Sequence, residues 1–422
     1  MNADTIEDYK SAPQIIRLSG LVQHYPWGGR KFIPELINQE NADDLPFAEL
    51  WMGAHASGSA TAEIGNFKIA LDRLIALAGQ VILGPKVMAD FDGKLPYLFK
   101  ILDAREMLSI QVHPSKMEAE MGFLQEESQN MPLTSPRRNY RDKNHKPEIH
   151  VALSDFWMLH GFRPVDEIKC LLEETPEFHI LEFSFINQNI EHLYRHVMEM
   201  PPEEVDAILA PLIKRLIKAY ENGQLEKDKP EYWVVKAARQ SPLVQGHYDR
   251  GLFSLYFLNL LHLKPGLGTF QAAGVPHAYL EGKNVELMAD SDNVLRGGLT
   301  QKHIDVPELL SIISYESNKP TVLCGNKISE TERAYRTQIA DFELACIKTA
   351  NESCYRSPKH HGPDTLIVIK GEGQIDEGGK LITFRRGDIF LVPHDVQYLI
   401  RSEEQATIYK ATVPFRDTQH EF

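Results

Sequence analysis

The chain has 422 residues, a length that exceeds one ordinary hydrophobic core and predicts two or three domains. Hydrophobic residues make up 43% and charged residues 25%, values typical of a soluble globular protein. The formal net charge of −14 argues against binding to nucleic acid or to an anionic membrane. It does not exclude a small anionic substrate, which would need Lys and Arg side chains gathered locally.

The amino-terminal stretch and the cysteines indicate the compartment. MNADTIEDYKSAPQ is polar and acidic, unlike a signal peptide or an Arg-rich transit peptide, and no apolar run is long enough to span a bilayer. The four cysteines are scattered without a Cys-x-x-Cys pair. This spacing argues against a disulfide scaffold or a Cys-based zinc site, and we expect a cytoplasmic protein.

Taken in chain order, the predicted elements change character twice. Up to about residue 155, short β-like runs such as LPYLFKILDA and MLSIQVHP dominate, with one helical pattern at 69–83. From about 163 to 243 apolar residues recur at three- and four-residue spacing, which predicts helices, and PPEE at 201–204 is typical of a helix start. Near 251 the β character returns, and from about 335 short strands alternate with Gly-rich turns.

This order predicts a mainly β protein with a helical insertion. We expect one β domain in two halves, residues 1–162 and 251–330, interrupted by a helical domain at 163–250. A second β domain follows at 331–422. Its His360 and His361 are adjacent, so they point to opposite faces of a strand, and a structural barrel without metal is expected there.

Several polar side chains in the first β domain do not suit a plain core. Gln111 and His113 lie two apart in a predicted strand and therefore share a face. Glu148 opens another strand with His150 on the same face, and His277 follows a Gly and a Pro. These residues are either solvent-facing strand ends or ligands of zinc or iron, with His150 as a competing ligand candidate.

The segments together resemble type I mannose-6-phosphate isomerases. Shorter matches are FAELWMG, YPWGG and GVPHAYL, and the resemblance runs from about 20 to 310 and weakly beyond. Ala56 and Gln301 depart from the family pattern, which often has Pro at both places. The longest matching strings are LPYLFKIL (95–102), LSIQVHP (108–114), YRDKNHKPE (140–148) and SDNVLRGGLTQKHIDV (291–306).

The resemblance implies a cupin-type, jelly-roll catalytic barrel, an inserted helical domain and a smaller second cupin-like barrel. It implies interconversion of mannose 6-phosphate and fructose 6-phosphate, with one zinc ion per chain as cofactor. The zinc ligands it implies are Gln111, His113, Glu148 and His277, whereas His150 falls outside the motif and is expected to be structural.

Aldose–ketose isomerisation needs a base, a group that stabilises enediolate charge, and a cationic pocket for the phosphate. The base is left open between Glu286 and Asp292, although Asp292 could cap a turn, Glu286 could pair with Arg296, and Lys302 could be a solvated surface residue. The remaining assignments are Arg296 for the developing charge, Lys146 for a sugar oxygen or proton transfer, His145 for ring opening, and Lys100, Ser109 and Lys302 for the phosphate.

Two other functions compete with the isomerase. An iron-dependent cupin oxygenase would favour His-rich ligation with open positions for O₂, which Gln111 and the nearby lysines argue against. A non-catalytic sugar-phosphate sensor would need a lost ligand set or an added partner-binding domain, and neither is visible. A small sugar phosphate is thus the expected partner, and the chain is expected to be a monomer, with a weak homo-oligomer as the alternative.

Overall fold

The computed structural model describes residues 3–240, 243–351 and 353–415. The strands in chain order are β1 (Ile16–Ser19), β2 (Leu21–Gln23), β3 (Glu49–Met52), β4 (Ala54–His55), β5 (Gly58–Ser59), β6 (Thr61–Ile64), β7 (Phe67–Ala70), β8 (Tyr97–Ala104), β9 (Ile110–Val112), β10 (Glu148–Ala152), β11 (Phe156–Phe162), β12 (Leu258–Leu263), β13 (Gly268–Gln271), β14 (His277–Ala289), β15 (Leu295–Gly298), β16 (Asn326–Lys327), β17 (Glu332–Tyr335), β18 (Glu343–Thr349), β19 (Tyr355–Arg356), β20 (Asp364–Lys370), β21 (Glu372–Glu377), β22 (Lys380–Arg385), β23 (Ile389–Val392), β24 (Leu399–Arg401) and β25 (Ala406–Thr412).

The helices complete the set of elements. They are α1 (Ala3–Ser11), α2 (Phe32–Leu36), α3 (Leu71–Ile82), α4 (Gly84–Asp90), α5 (Lys116–Ser128), α6 (Val165–Glu174), a 3-10 helix (Pro176–Gln188), α7 (Ile190–Glu199), α8 (Pro202–Glu221), α9 (Pro230–Gln240), α10 (Gly251–Phe257) and α11 (Val306–Ile312). None of these described helices combines the length and the apolar character needed to cross a bilayer.

The central sheet has the strand order β12-β11-β14-β8-β3-β2, with β9, β10, β13 and β15 attached beside it. Strand β14 is its longest member and changes partners along its length: β11 pairs with its first half, and β8 and β10 pair with its second half. Gly282 lies at this change with φ at 130°, and a Cβ there would lie 2.5 Å from the carbonyl oxygen of Asp155. Glycine therefore allows β14 to serve two neighbours in succession.

A second sheet, here called the joining sheet, connects the two ends of the chain in the order β16-β17-β18-β25-β20-β23-β1-β6-β7. Strand β1 pairs antiparallel with β23, so Leu18 lies opposite Ile389 across more than three hundred residues of sequence. The sequence grouped residues 1–162 with the catalytic β domain. In the structure three strands of that range, β1, β6 and β7, hydrogen-bond into the sheet of the carboxyl-terminal strands.

The centre of the joining sheet is buried on both faces. Along β23, Ile389 and Leu391 pack in one core with Phe99 of the central sheet, whereas Phe390 and Val392 pack in another core with the small sheet β19-β24-β21-β22. Alternate residues of a strand point to opposite faces, so a continuous apolar run is what a doubly covered strand requires. The described sheets form face-to-face layers, and their hydrogen-bonded order stays open and does not close into a ring.

The helices from α6 to α10 lie in the chain between β11 and β12. Their buried residues, among them Phe178, Leu212 and Trp233, form one core with Ile110 and Val112 of strand β9. The helical segment therefore supports, from behind, the strand in which the sequence placed two candidate metal ligands.

We predict that Gly298→Ala destabilises the protein far more than Gly378→Ala does. Both glycines have positive φ, but a Cβ at Gly298 would lie 2.3 Å from the Cα of Gly251, whereas nothing lies within 4 Å of one at Gly378. Positive φ alone costs alanine about 1–2 kcal/mol, and the backbone clash adds about 1–3 kcal/mol. Urea denaturation of both variants measures the difference, and equal midpoints would contradict the prediction.

Candidate metal centre and active site

Three buried side chains from three strands or strand ends converge in the central sheet. The Nε2 atom of His113 lies 3.4 Å from Oε1 of Glu148, and Nε2 of His277 lies 3.3 Å from Oε2 of Glu148. One potential ligand atom from each residue lies within 4.8 Å of the others. In the described part of the chain, this is the group of His, Cys, Asp or Glu side chains arranged to hold a metal ion.

Backbone carbonyls fix the orientation of both imidazoles. Nδ1 of His113 donates to the carbonyl of Asn293 at 2.8 Å, and Nδ1 of His277 donates to the carbonyl of Val275 at 2.9 Å. Each ring therefore presents its Nε2 toward Glu148, which is how ligating histidines are usually oriented. Nε2 of His113 is buried without a hydrogen-bond partner, and burial lowers the pKa of this imidazole to about 4. A buried, neutral, unpartnered nitrogen is accounted for by a metal ion.

Gln111 and His150 are the two remaining ligand candidates from the sequence. Gln111 pairs with His277 and Arg296 across the strands and lines the same cavity of about 70 Å³ as Glu148. His150 is engaged elsewhere: its Nδ1 accepts from Nε2 of Gln271 at 2.9 Å, and its Nε2 lies 3.3 Å from a threonine hydroxyl. The geometry is thus compatible with Gln111 as a fourth ligand and gives His150 a structural environment.

A buried charge pair lies beside the metal centre. Lys100 on β8 stands opposite Trp51 and Glu286, and its Nζ lies 3.1 Å from Glu286 and 3.5 Å from Glu49. Tyr279 donates its hydroxyl proton to the other oxygen of Glu286 at 2.6 Å. Burial alone would lower the pKa of Lys100, but Glu49 and Glu286 outweigh it and raise that pKa. Glu286 therefore pairs with Lys100 and not with Arg296.

These neighbours also change the ionisation of Glu286. Burial raises the pKa of this carboxyl, Lys100 opposes the shift, and the negative charges of Glu148 and Glu49 add to it. A carboxyl that holds its proton more tightly is suited to exchange protons with a weak carbon acid. Two carboxylates already compete for the ammonium group of Lys100. Its role in phosphate binding therefore stays a prediction.

The loop before β10 carries two further predicted residues. Nζ of Lys146 lies 3.5 Å from Oε1 of Glu148 and lines the cavity, next to the metal centre. Nε2 of His145 instead lies 3.1 Å from both carboxylate oxygens of Asp341, in the segment that precedes β18. The ring-opening role of His145 stays a prediction, and the structure places its imidazole against Asp341.

Arg296, which lies opposite Gln111 across the strands, belongs to a cluster of positive charge with Arg141 and Lys302. Burial and then Arg141 lower the pKa of Arg296, and burial, Arg296 and Arg141 lower the pKa of Lys302. No carboxylate among the described residues offsets this repulsion. Three cations held together in a chain of net charge −14 form a site that an anion would stabilise. Ser109 lies two residues before Gln111 and is half-buried.

The sequence reasoning missed Arg141, Tyr279 and Glu49. Tyr279 is two residues after His277 in a strand, so shared-face spacing could have identified it. Arg141 lies inside the matching string 140–148, but a tertiary contact positions it. Its backbone N–H donates to Oδ1 of Asn293 at 2.7 Å. No local pattern reveals such a contact.

Asp292 faces the hairpin formed by β4 and β5. The hydroxyl of Ser57 donates to Oδ2 of Asp292 at 2.5 Å, and Nε2 of His55 lies 3.6 Å from Oδ1. The backbone N–H of Asp292 donates to Asp142 at 2.8 Å. Asp142 therefore caps this turn, and the side chain of Asp292 is directed outward from it.

The chain was compared with known proteins. A family model described as "Phosphomannose isomerase type I, catalytic domain" matches residues 15–165. A mannose-6-phosphate isomerase of Shigella flexneri is 33% identical over 381 residues, covering 88% of this chain and 93% of that protein. The human mannose-6-phosphate isomerase is 38% identical over 364 residues, covering 79% and 82%. A Salmonella typhimurium mannose 6-phosphate isomerase, solved with fructose 6-phosphate and zinc, has a TM-score of 0.85 and 32% identity over 95% of this chain and 100% of that chain.

Fold and site together define a cupin-type isomerase with a metal-binding triad, and the predicted fold class, mainly β with a helical insertion, is confirmed. The sequence identity and coverage of the relatives then identify the isomerase family. The chain belongs to the type I mannose-6-phosphate isomerase family.

We predict that Asp290→Asn stabilises the protein more at about pH 8 than at about pH 5. Burial, Asp142 and Asp292 raise the pKa of Asp290 to about 7, above the usual value of about 4 in an unfolded chain. Between about pH 4 and about pH 7, the folded state therefore binds more protons than the unfolded state. The free energy of unfolding falls there by up to about 1.4 kcal/mol per pH unit as pH rises. Melting temperatures at both pH values test this, with the exposed Asp92→Asn as control. An equal gain at the two pH values would contradict it.

Proposed function

We propose that the protein interconverts D-mannose 6-phosphate and D-fructose 6-phosphate by moving a proton between C2 and C1. The observation that carries the proposal is a buried His–Glu–His triad whose cavity is also lined by the Lys100–Glu286 pair, with Arg296 opposite Gln111 across the strands. Membership of the isomerase family supports it, and so does the Salmonella relative solved with fructose 6-phosphate.

The residues present fit one zinc ion. His113, Glu148 and His277 would hold it, with Gln111 as the fourth ligand through its carbonyl oxygen. Two neutral imidazoles and a carboxylate form a donor set that zinc favours, and solved relatives contain zinc. When bound, zinc supplies a Lewis acid that stabilises negative charge on a substrate oxygen.

The chain's own residues supply the remaining chemistry. A base takes the proton from C2 and returns it to C1, and Glu286 and Asp292 are the two candidates. Arg296 stabilises the charge that develops on the sugar oxygens, since its guanidinium stays ionised and donates in a fixed fork. Lys146, beside Glu148, donates to a sugar oxygen or moves a proton between oxygens.

We assign the phosphate to the cation cluster, away from the reacting carbons. Lys302 and Arg141 bind its oxygens, with Ser109 as a hydroxyl donor, because a dianion relieves the repulsion among the clustered cations. Binding a group several bonds from C1 and C2 fixes the sugar's orientation without taking part in the proton transfer.

We also keep the predicted domain division as a proposal: 1–162 with 251–330, then 163–250, then 331–422. The helices between β11 and β12 support the middle division, while residues 1–2, 241–242 and 416–422 lie outside the described residues. All four cysteines are free, which supports action in the cytoplasm. A monomer is proposed, and light scattering during size-exclusion chromatography measures the mass.

We predict that the purified protein contains about one equivalent of zinc and loses isomerase activity when a strong chelator removes it. Added zinc should restore the activity, because backbone carbonyls orient both imidazoles without the metal. Metal analysis and a coupled isomerase assay measure both. Full turnover by metal-free protein would contradict the proposal, and substrate-dependent O₂ consumption would favour the oxygenase instead.

We predict that Arg296→Ala and Lys302→Ala act on different kinetic constants. Loss of Arg296 removes charge stabilisation at the reacting atoms, so kcat should fall on the order of a hundredfold. Loss of Lys302 removes a phosphate contact, so KM should rise with a smaller change in kcat. Arg296→Lys should recover only part of the rate, because an ammonium lacks the fork. A raised KM with unchanged kcat in Arg296→Ala would reverse the two assignments.

A further inference from the structure

The hairpin β4–β5 has no role in the chemistry described so far, yet two of its residues contact Asp292, a candidate base. Its strands are joined by Ala56 and Ser57. The backbone N–H of Ser57 donates to Nδ1 of His55 at 3.0 Å, so this nitrogen is the acceptor of the ring. Burial lowers the pKa of His55, which leaves the imidazole neutral with its proton on Nε2. Only 4% of the side chain is exposed.

Both oxygens of the Asp292 carboxylate face this hairpin. The hydroxyl of Ser57 donates to Oδ2 at 2.5 Å. The Nε2–H of His55 lies 3.6 Å from Oδ1, which is slightly beyond hydrogen-bond length and well within electrostatic range. Contacts of this kind in a protein without substrate often tighten when the substrate binds.

A second carboxylate competes for the same N–H but is a weaker acceptor. Oδ1 of Asp290 also lies 3.6 Å from Nε2 of His55. Burial raises the pKa of Asp290 to about 7, so this carboxyl is substantially protonated near neutral pH. The remaining charges that act on His55 are Asp142, Lys100 and Lys146, of which Asp142 is already engaged by the turn around Asp292.

The hairpin is braced against the buried charge pair. The ring of Trp51 packs edge-on against His55 with centroids 5.4 Å apart, and Nζ of Lys100 lies 5.3 Å from the same ring. The indole N–H donates to Glu49 at 2.5 Å, which leaves the ring little freedom. His55 is thus held in position by elements that also define the catalytic pocket.

We propose that His55 and Ser57 are positioning residues that hold the carboxylate of Asp292 toward the substrate. The inference rests on the proposed function, in which Asp292 is a candidate base. Neither residue need touch the sugar: the hydroxyl and the imidazole N–H each address one oxygen of Asp292 and restrict its rotation. A carboxylate fixed in this way needs no reorganisation when the proton is transferred.

A double-mutant cycle between His55→Ala and Asp292→Asn tests the proposal. His55→Ala should lower kcat by about 10- to 100-fold, the usual effect of a misplaced catalytic group, while KM and zinc content stay unchanged. In the Asp292→Asn background the same change should cost less than about twofold, because the residue acts only through that carboxylate. Equal losses in both backgrounds would show a merely structural role and overturn the proposal.

Conservative variants separate the donor from the packing. His55→Gln can place an N–H near the position of Nε2 and should regain most of the rate, whereas His55→Asn can accept from Ser57 but cannot reach Asp292 and should resemble His55→Ala. Ser57→Ala should also lower kcat. Ser59→Ala is the matched control, since Ser59 lies in the same hairpin and its hydroxyl contacts only the backbone of Ala60 and Asp72.

The remaining outcomes are decisive as well. Rescue by Asn and not by Gln, or a loss in Ser59→Ala as large as in Ser57→Ala, would overturn the positioning role. Wild-type protein without isomerase activity would overturn the proposed function and this inference with it. Active wild-type protein with additive losses in the cycle would overturn this inference alone.

Discussion

Burial of the Glu148 carboxylate between His113 and His277 is the interaction on which the rest of the site depends. Burial opposes the ionisation of Glu148, but its interactions with His113, Lys146 and His277 lower the pKa of its carboxyl well below its usual range. An unpaired buried charge would cost several kcal/mol, so each neighbour must keep its place. The register of β14 meets that requirement, because it sets His277 opposite Gln111. Residues of β14 also pack into the core formed by the helices, which holds the strand in place.

The same register separates two kinds of electrostatic environment. Lys100 and Glu286 face each other across β8 and β14, and both side chains are buried, so each charge offsets the other. Arg296 and Lys302 lie where no described carboxylate offsets them. Under the proposed function, the first environment serves proton transfer and the second binds a permanent anion. Although the protein is acidic overall, it can bind an anion here because no described carboxylate lies close enough to offset these cations.

How much could be predicted from the sequence depends on the range of the signal. Period-two spacing identified Gln111 with His113 as a shared face, and the change to helical spacing identified the segment after β11. The same spacing could not decide whether His150 or Glu148 is the metal ligand, because both side chains lie on the inner face of β10. Only their partners on β13 distinguish the two. Arg141 was missed because a tertiary hydrogen bond, to Asn293, brings its loop to the site. Pairing of β1 with β23 has no local signal either, since any two apolar strands satisfy the pattern.

The pairing of β1 with β23 also has a consequence for biosynthesis. Ile16 is made well before its partner Leu391, because more than three hundred residues separate the two in the chain. Until then the edge of β1 has no strand to bond, and exposed edges of this kind invite pairing between chains. Closing so long a loop is slow, because its entropy must be lost before the contacts form. The nascent chain therefore depends on shielding of this edge until β23 has been made.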